Sequence, residues 1–415
     1  MKEHGVVIGG GIGGLLAGHA LAERFELVTI LERDHYPSSL NSVPPTRRGA
    51  PQSHCLHLLT APGAAAFDKL VPSWREEVVA FGAIPFDASG DAALRFSPGW
   101  LSRTPSGAIT YACSRSLIEQ VLRKLLVCKP NVRLREGQNV LGLLRGHSGE
   151  GVAGVQVADW NCGGQKQLFA DIVVDASGAR SKLSRWIARL TKDQESNLAK
   201  TVVKSRMAFV SRWFHLEARY APDWFCLSVA PTRDVPNHAA VMLRVENDYW
   251  GVALLGRGSA SLPADDGAFL EYAGLCDGQL GKVLSRATPA SPIYNHVPVS
   301  NRMMHYDRLR TWPEGLLALG DSVCVLDPYF GLGMTSTARG AVLLGIHLDE
   351  SGNEEVSTFG FQRELASLNI VPWQIATGRD TDGRPLSRDL SIFRGLAREP
   401  LPVQHASTDG NSDGA

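Results

Sequence analysis

The stretch Val6-Val7-Ile8-Gly9-Gly10-Gly11-Ile12-Gly13-Gly14 decides the fold. A short apolar run predicts a buried strand, and Gly9-x-Gly11-x-x-Gly14 predicts a tight turn into a helix that starts near Gly11. The first glycine allows the turn, the second lets backbone close on a pyrophosphate, and the third lets the helix pack on the strand. Unpaired N–H groups at that helix start, with the positive end of its dipole, favour the anion. Leu27-Val28-Thr29-Ile30-Leu31 reads as the next buried strand. It ends in Glu32, the acid expected about twenty residues on, where it can accept both hydroxyls of an adenosine ribose. Candidate cofactor contacts here are Gly9, Gly11, Gly13, Gly14, Glu32 and the adjoining Arg33.

At 415 residues the chain exceeds the usual size of one core, which predicts two interleaved or consecutive domains. Hydrophobic residues at 44% and charged ones at 20% are ordinary for a soluble globular protein. The 42 basic and 42 acidic residues cancel, which argues against a nucleic-acid or acidic-membrane partner. Seven cysteines (Cys55, Cys113, Cys128, Cys162, Cys226, Cys276, Cys324) contain no C-x-x-C pair. They read as reduced thiols of a cytoplasmic protein, with no zinc or other metal site expected. The first strand begins within a few residues of Met1, so no signal peptide is expected, and no apolar run approaches a membrane span.

Strand, Gly-rich turn, helix (Leu15 to Arg24) and strand make half of a doubly wound sheet. Tyr36 to Gln52, rich in Pro, Ser and Arg, reads as an irregular loop, either on the surface or facing a ligand. Ser116 with Glu119 predicts a capping box for a helix carrying Leu117, Val121 and Leu125 on one stripe. Val132–Leu134, Val140–Leu144, Val152–Ala158 and Phe169–Val174 read as strands. From about 200 to 300 the pattern changes to long strands, with Ala239–Val245 and Tyr249–Leu255 joined by Glu246-Asn247-Asp248 as a hairpin. Leu316–Leu319 returns to a buried strand, and a Gly-rich turn then leads to a helix from Met334 to His347. Residues 351–398 are expected to form a C-terminal helical segment, and 399–415 a disordered tail.

Two later segments extend the dinucleotide reading to a flavin. Leu316-Leu317-Ala318-Leu319-Gly320-Asp321 puts a carboxylate at a strand end, and Pro328-x-x-Gly331-x-Gly333-Met334 delivers a second Gly-rich turn into a helix. Such an acid can bond a ribityl chain, and the helix start can stabilise negative charge on a reduced isoalloxazine. Ile172-Val173-Val174-Asp175-Ala176-Ser177-Gly178-Ala179-Arg180-Ser181 is a buried strand ending in an acid, then a small-residue turn. In this order and spacing the three segments resemble the FAD-dependent aromatic hydroxylase superfamily, the group A flavoprotein monooxygenases and their epoxidase relatives, over nearly the whole chain to about residue 385.

The family's motifs map to Gly9, Gly11, Gly14 and Glu32, to Asp175 through Ser181, and to Gly320 and Asp321. Arg48-Gly49-Ala50-Pro51-Gln52 with Cys55-Leu56-His57-Leu58-Leu59 resembles a segment of the actinomycete-type monooxygenases and polyether epoxidases. That resemblance makes Arg48 and Gln52 flavin contacts and sets His57 beside the flavin. Cys55 stands where the first of two histidines is usual, and His57 matches the second. Ser114-Arg115-Ser116-Leu117-Ile118-Glu119 resembles the family's helix start whose arginine reaches the cofactor. Leu332 and Met334 join Gly331 and Gly333 as contacts, and Pro328 is a further candidate near the isoalloxazine.

What the resemblance implies is an α/β fold: a Rossmann-like FAD-binding domain (1–60, 105–195, 300–350) interleaved with a mainly β-sheet substrate-binding domain (61–104, 196–299). It further implies a monooxygenase of secondary metabolism that uses FAD, O2 and NADPH or NADH. One oxygen atom would pass from a flavin C4a-hydroperoxide to a hydrophobic, electron-rich small molecule, by hydroxylation or epoxidation. The sequence holds one dinucleotide fingerprint, so the nicotinamide docks transiently or a separate flavin reductase supplies electrons. Phe209, Trp213, Phe214, Trp224, Phe225, Tyr249 and Trp250 are candidates for the substrate pocket. Three rivals are a reductase or dehydrogenase of an alkene or isoprenoid, a flavin-dependent halogenase, and a flavin-containing binding or regulatory module without turnover. Halogenases usually carry Trp-x-Trp-x-Ile-Pro, and no two of the nine tryptophans here lie two residues apart.

Overall fold

The structure is a computed structural model that describes residues 2–37, 46–96, 99–146, 151–191, 198–205, 207–258, 261–296, 300–350 and 357–384. The predicted tail 399–415, and 351–356 and 385–398 of the predicted C-terminal segment, lie outside these residues.

Five strands form a parallel sheet in the order β21 (Leu316–Ala318), β12 (Ile172–Asp175), β1 (Lys2–Ile8), β2 (Phe25–Leu31), β8 (Val132–Arg135). Helix α1 (Ile12–Ala22) is apolar on all sides because it is covered on all sides. It packs on β2 and between α4 (Arg115–Val127) and α8 (Leu332–Glu350). A meander of β9 (Gln138–Arg145), β10 (Val152–Asp159) and β11 (Gln165–Phe169) contacts the sheet through β12.

Two small three-stranded sheets complete this half: β3 (Leu58–Leu59), β7 (Ile109–Ala112) and β4 (Ile84–Asp87) in one, β13 (Lys200–Val203), β20 (Asn301–Met304) and β22 (Cys324–Val325) in the other. Helices α2 (Ala61–Leu70), α3 (Trp74–Ala80), α5 (Leu183–Thr191) and α9 (Thr358–Thr377) lie around them.

The remaining sheet runs β18 (Thr288–Pro289), β14 (Met207–His215), β17 (Tyr249–Arg257), β16 (His238–Arg244), β15 (Cys226–Val229), β5 (Ala92–Phe96), β6 (Gly99–Trp100), with β19 (Tyr294–His296) paired to β14. Period-two alternation gives it two different faces. Val210, Phe214, Met242, Trp250, Val252 and Leu254 pack against α6 (Asp266–Cys276) and α7 (Gly278–Leu284). Phe209, Val241, Ala253 and Leu255 point the other way, towards Leu56 and Tyr329.

Several expectations change. The capping residue of α4 is Ser114, whose hydroxyl accepts the Leu117 N–H at 3.2 Å. Ser116 lies inside the helix, and Glu119 instead pairs with Arg115. Phe169–Val174 is two strands in two sheets, broken where the Asp171 carboxylate accepts the N–H groups of Glu3 and His4 at 2.9 Å each. Helices α6 and α7, each capped by an aspartate (Asp265, Asp277), interrupt the region read as all strand. Phe214, Trp224 and Trp250 belong to the core behind the sheet, away from the Phe209 face.

Trp250 is 2% exposed and meets Trp224 edge-on at 5.6 Å. Trp250→Ala should therefore cost about 3–5 kcal/mol by cavity formation. Thermal or denaturant unfolding checks it: an unchanged midpoint would contradict this placement.

Candidate functional site

Parallel pairing brings the three sequence motifs together. Ile8 lies beside Asp175, and Asp175 beside Ala318, so the turns after β1, β12 and β21 share one edge of the sheet. Ligands of open α/β sheets bind at such carboxyl ends. Gly9 has φ 96°, and a Cβ there would lie 2.7 Å from the Ala176 carbonyl oxygen. A Cβ on Gly14 would lie 1.8 Å from the Gly9 oxygen. A Cβ on Gly11 would meet only the ends of side chains at ordinary contact distance, Arg115 Nη2 at 3.7 Å, Glu119 Oε1 at 3.9 Å and Arg47 Nη2 at 4.0 Å. Gly13, grouped with the ligand contacts by sequence, faces Thr337 of α8 and serves helix packing.

Asp175 is fully buried and holds its own turn, accepting the Ser177 N–H at 3.0 Å and the Ser181 hydroxyl. Burial pushes its carboxyl up. Gly320 takes φ 67° and hands the chain to Asp321. Burial raises the Asp321 carboxyl, while Arg115 and Arg302 pull it down. Its oxygens accept no hydrogen bond among the described residues.

At the other end, Glu32 accepts the N–H groups of Gly10 and Asp34, both at 2.8 Å. Arg47, 6% exposed in its side chain, lies 3.4 Å from Glu32 and 3.2 Å from Glu119. Burial opposes its charge, but Glu119 and Glu32 outweigh burial and hold it charged. Tyr36 lies between two guanidiniums, Arg47 at 5.0 Å and Arg123 at 4.3 Å, and its hydroxyl donates to the Gly10 carbonyl at 2.5 Å. Arg115, first residue of α4, pairs with Glu119 at 2.9 Å while its buried Nε finds no partner among the described residues.

Beyond Asp321, the Asp327 carboxylate accepts the Tyr329 N–H at 3.0 Å and the Ser205 hydroxyl, fixing the short helical turn Pro328–Phe330. Gly331 (φ 64°) and Gly333 then open α8, with no atom within 4 Å of where either Cβ would stand. Leu332 and Met334 are half-buried, packed on the cores beside them.

His57 Nδ1 lies 3.0 Å from the Cys55 carbonyl, which only accepts, so Nδ1 carries the proton and Nε2 is an acceptor. Burial, then Arg115, pushes its pKa down to about 3, so the ring is neutral. Ser211 donates to the His54 carbonyl at 2.8 Å, so at 2.7 Å it accepts the Nε2–H of His296. The remaining nitrogen of His296 faces the Cys55 thiol at 3.4 Å, and its ring stacks on Phe209 at 4.5 Å. Burial pushes the Cys55 thiol up to about 12, which keeps it protonated.

Among the sequence candidates, Gly9, Gly11, Gly14, Glu32, Arg115, Asp175, Gly320, Asp321, Gly331 and Gly333 converge on this edge. Arg33 and Arg48 are exposed, and Gln52 is half-buried. Arg47, Tyr36, Arg123 and His296 were not anticipated. For Arg47 a signal existed: it adjoins Arg48 in the Arg-rich segment between Tyr36 and Gln52. No group of three or more His, Cys, Asp or Glu is placed to hold a metal ion among the described residues. No described helix is long and apolar enough to cross a membrane.

No protein-family model matches the chain. The chain is similar to protein Rv3254 of Mycobacterium tuberculosis, with 28% identity over 360 residues that cover 81% of this chain and 71% of that protein. Among solved structures it is similar to the flavin-dependent brominase Bmp2 (TM-score 0.65, 17% identity, covering 90% of this chain and 85% of that one). It is likewise similar to PqsL of Pseudomonas aeruginosa, described as a probable FAD-dependent monooxygenase (TM-score 0.63, 14%, 95% and 99%). A third is p-nitrophenol 4-monooxygenase PnpA of Pseudomonas putida DLL-E4 (TM-score 0.63, 16%, 95% and 97%). The chain has the fold that FAD-dependent monooxygenases and flavin-dependent halogenases share.

The glycine geometry separates two variants. Gly14→Ala forces Cβ onto the Gly9 carbonyl and should yield little folded protein, whereas Gly11→Val meets only the movable ends of Arg115, Glu119 and Arg47 at 3.7–4.0 Å and should melt within a few degrees of wild type. Equal melting temperatures for the two would contradict the turn described here.

Proposed function

We propose that the chain is an FAD-dependent monooxygenase that inserts one atom of O2 into a hydrophobic, electron-rich small molecule, by hydroxylation or epoxidation, in secondary metabolism. The observation that carries this reading is the meeting of three strand-end turns at one sheet edge, facing an orphaned Arg115 Nε and an unpartnered Asp321 carboxylate.

These residues fit the group. The cradle before Gly11 and the N-terminus of α1 suit a pyrophosphate, and Arg115 Nε is a donor that lacks an acceptor. Asp321 offers an acceptor to a ribityl hydroxyl, and Glu32 with Arg47 marks the adenosine end. The open space before Gly331 and Gly333 admits a ring against the start of α8. Bound FAD supplies electron transfer from NADPH or NADH and activation of O2.

The chain's own residues bind, orient and exclude water. The α8 N-terminus would offer its N–H groups and positive dipole end to a flavin ring held there, where they would favour negative charge. His57, neutral, holds an acceptor at Nε2 beside Arg115. The sheet face with Phe209, Val241 and Leu255, closed by Leu56 and Tyr329, forms an apolar wall that keeps water from the transferred oxygen. We assign residues 1–60, 105–195 and 300–350 to cofactor binding and 61–104 and 196–299 to the substrate. Similarity to Bmp2 supports a second reading, a halogenase. Against it stands the absence of any tryptophan pair at the Trp-x-Trp spacing.

Gly11→Val, folded, should retain no FAD, since the valine fills the pyrophosphate's place. Asp321→Ala should weaken FAD binding about ten- to a hundredfold, the worth of a charged hydrogen bond. Fluorescence titration reads both, and unchanged affinities would overturn the site assignment. For the reaction itself, substrate should stimulate NAD(P)H and O2 consumption together and one 18O atom from 18O2 should enter the product. An unlabelled product formed anaerobically would favour the reductase, and a halide-dependent halogenated product the halogenase.

A further inference from the structure

The β16–β17 hairpin turns through Asn247 (φ 59°) and Asp248 (φ 57°), the two non-glycine residues with positive φ among those described. Asn and Asp take left-handed backbone more readily than other non-glycine residues, as a tight hairpin turn requires, and contacts on either side hold this one. One holding contact is on the surface, Arg244 to Asp248 at 2.6 Å. The other is internal. Glu246 is 8% exposed, and its Oε2 accepts the N–H of Ser114 at 2.9 Å. Room for this carboxylate comes from Gly82 (φ 103°), where a Cβ would stand 3.1 Å from that of Glu246.

Ser114 caps α4, and Arg115 is the next residue, its Nη2 turned to the space before Gly11 and its charge acting on Asp321. A carboxylate at a helix N-terminus is favourably placed against the dipole. It also joins two parts of the site. The strands on either side of the turn, β16 and β17, carry Val241, Ala253 and Leu255, the apolar wall on the substrate side.

We propose that Glu246 is a positioning residue, which ties the β16–β17 hairpin to Ser114 and thereby fixes the Arg115 guanidinium at the cofactor end of the site. The inference rests on the FAD reading above. Removing the carboxylate frees the start of α4 from the hairpin, and Arg115 then loses its aim at Gly11 and Asp321. A role in stability alone would leave Arg115 where it is.

A double-mutant cycle in FAD affinity, read by fluorescence titration, separates the two. Glu246→Ala should weaken FAD binding about tenfold in the wild-type background. In an Arg115→Ala background the same change should matter less than about twofold, because the group it positions is gone. Glu246→Gln, whose amide oxygen still accepts the Ser114 N–H, should restore affinity to within about threefold of wild type. If Glu246→Ala gives no soluble protein, Glu246→Asp replaces it, keeping the charge but withdrawing it by one methylene. Equal losses in both backgrounds, or a Gln variant as weak as Ala, would overturn the proposal. Wild-type protein that binds no FAD at all would instead overturn the functional reading on which it rests.

Discussion

The site depends on how closely α1 approaches β1. With 1.8 Å between the Gly9 oxygen and the place a Cβ on Gly14 would occupy, any side chain at 14 would push the helix off the strand. The N–H groups at the start of α1 would then no longer face the edge where β12 and β21 end. Gly9, at φ 96° against the Ala176 carbonyl, is constrained on the same grounds, because it lets the β1 turn lie against the β12 turn. Two missing side chains thus set the spacing between three strand ends. The charges arranged around that edge follow from it.

Those charges alternate. Glu32, Arg47, Glu119 and Arg115 form a chain of contacts at 3.4, 3.2 and 2.9 Å, two carboxylates between and beside two guanidiniums. Buried ions survive when paired and hydrogen-bonded, and removing one member leaves its partner an uncompensated charge. Beside the Arg115 end, among the described residues, Arg115 Nε has no acceptor and the Asp321 carboxylate, under its influence, no donor. A ligand with both phosphate oxygens and hydroxyl groups would satisfy both at once, which a single anion or a single alcohol would not.

How much was legible follows from the range of each signal. Gly9-x-Gly11-x-x-Gly14, the strand ending in Glu32, Asp175 and Gly320-Asp321 are local patterns whose backbone demands are written in consecutive residues, and the fold places them as read. Arg115 was legible as a helix start, although the cap is Ser114, since two serines two residues apart both satisfy the local rule and only the packing of Leu117 and Ile118 decides. The seven aromatic candidates show the opposite case. Alternation assigns Phe209 and Phe214 to different families of face or core, but which face looks at the cofactor depends on α6 and α7 covering the other. Arg47 and Tyr36 reach the Gly-rich turn from outside any helix or strand, where no periodicity announces them.

The hairpin on the substrate side has the same logic as the glycine turn, reached by different chemistry. At Gly9 a strained-looking φ costs nothing, because glycine carries no Cβ. At Asn247 and Asp248 it is taken by residue types that adopt left-handed backbone readily, and the residues flanking the turn hold it: Arg244 pairs with Asp248 outside, and Glu246 accepts the Ser114 N–H inside. Burial raises the Glu246 carboxyl and the bond from Ser114 opposes that rise, so the hairpin and the start of α4 are held at one distance.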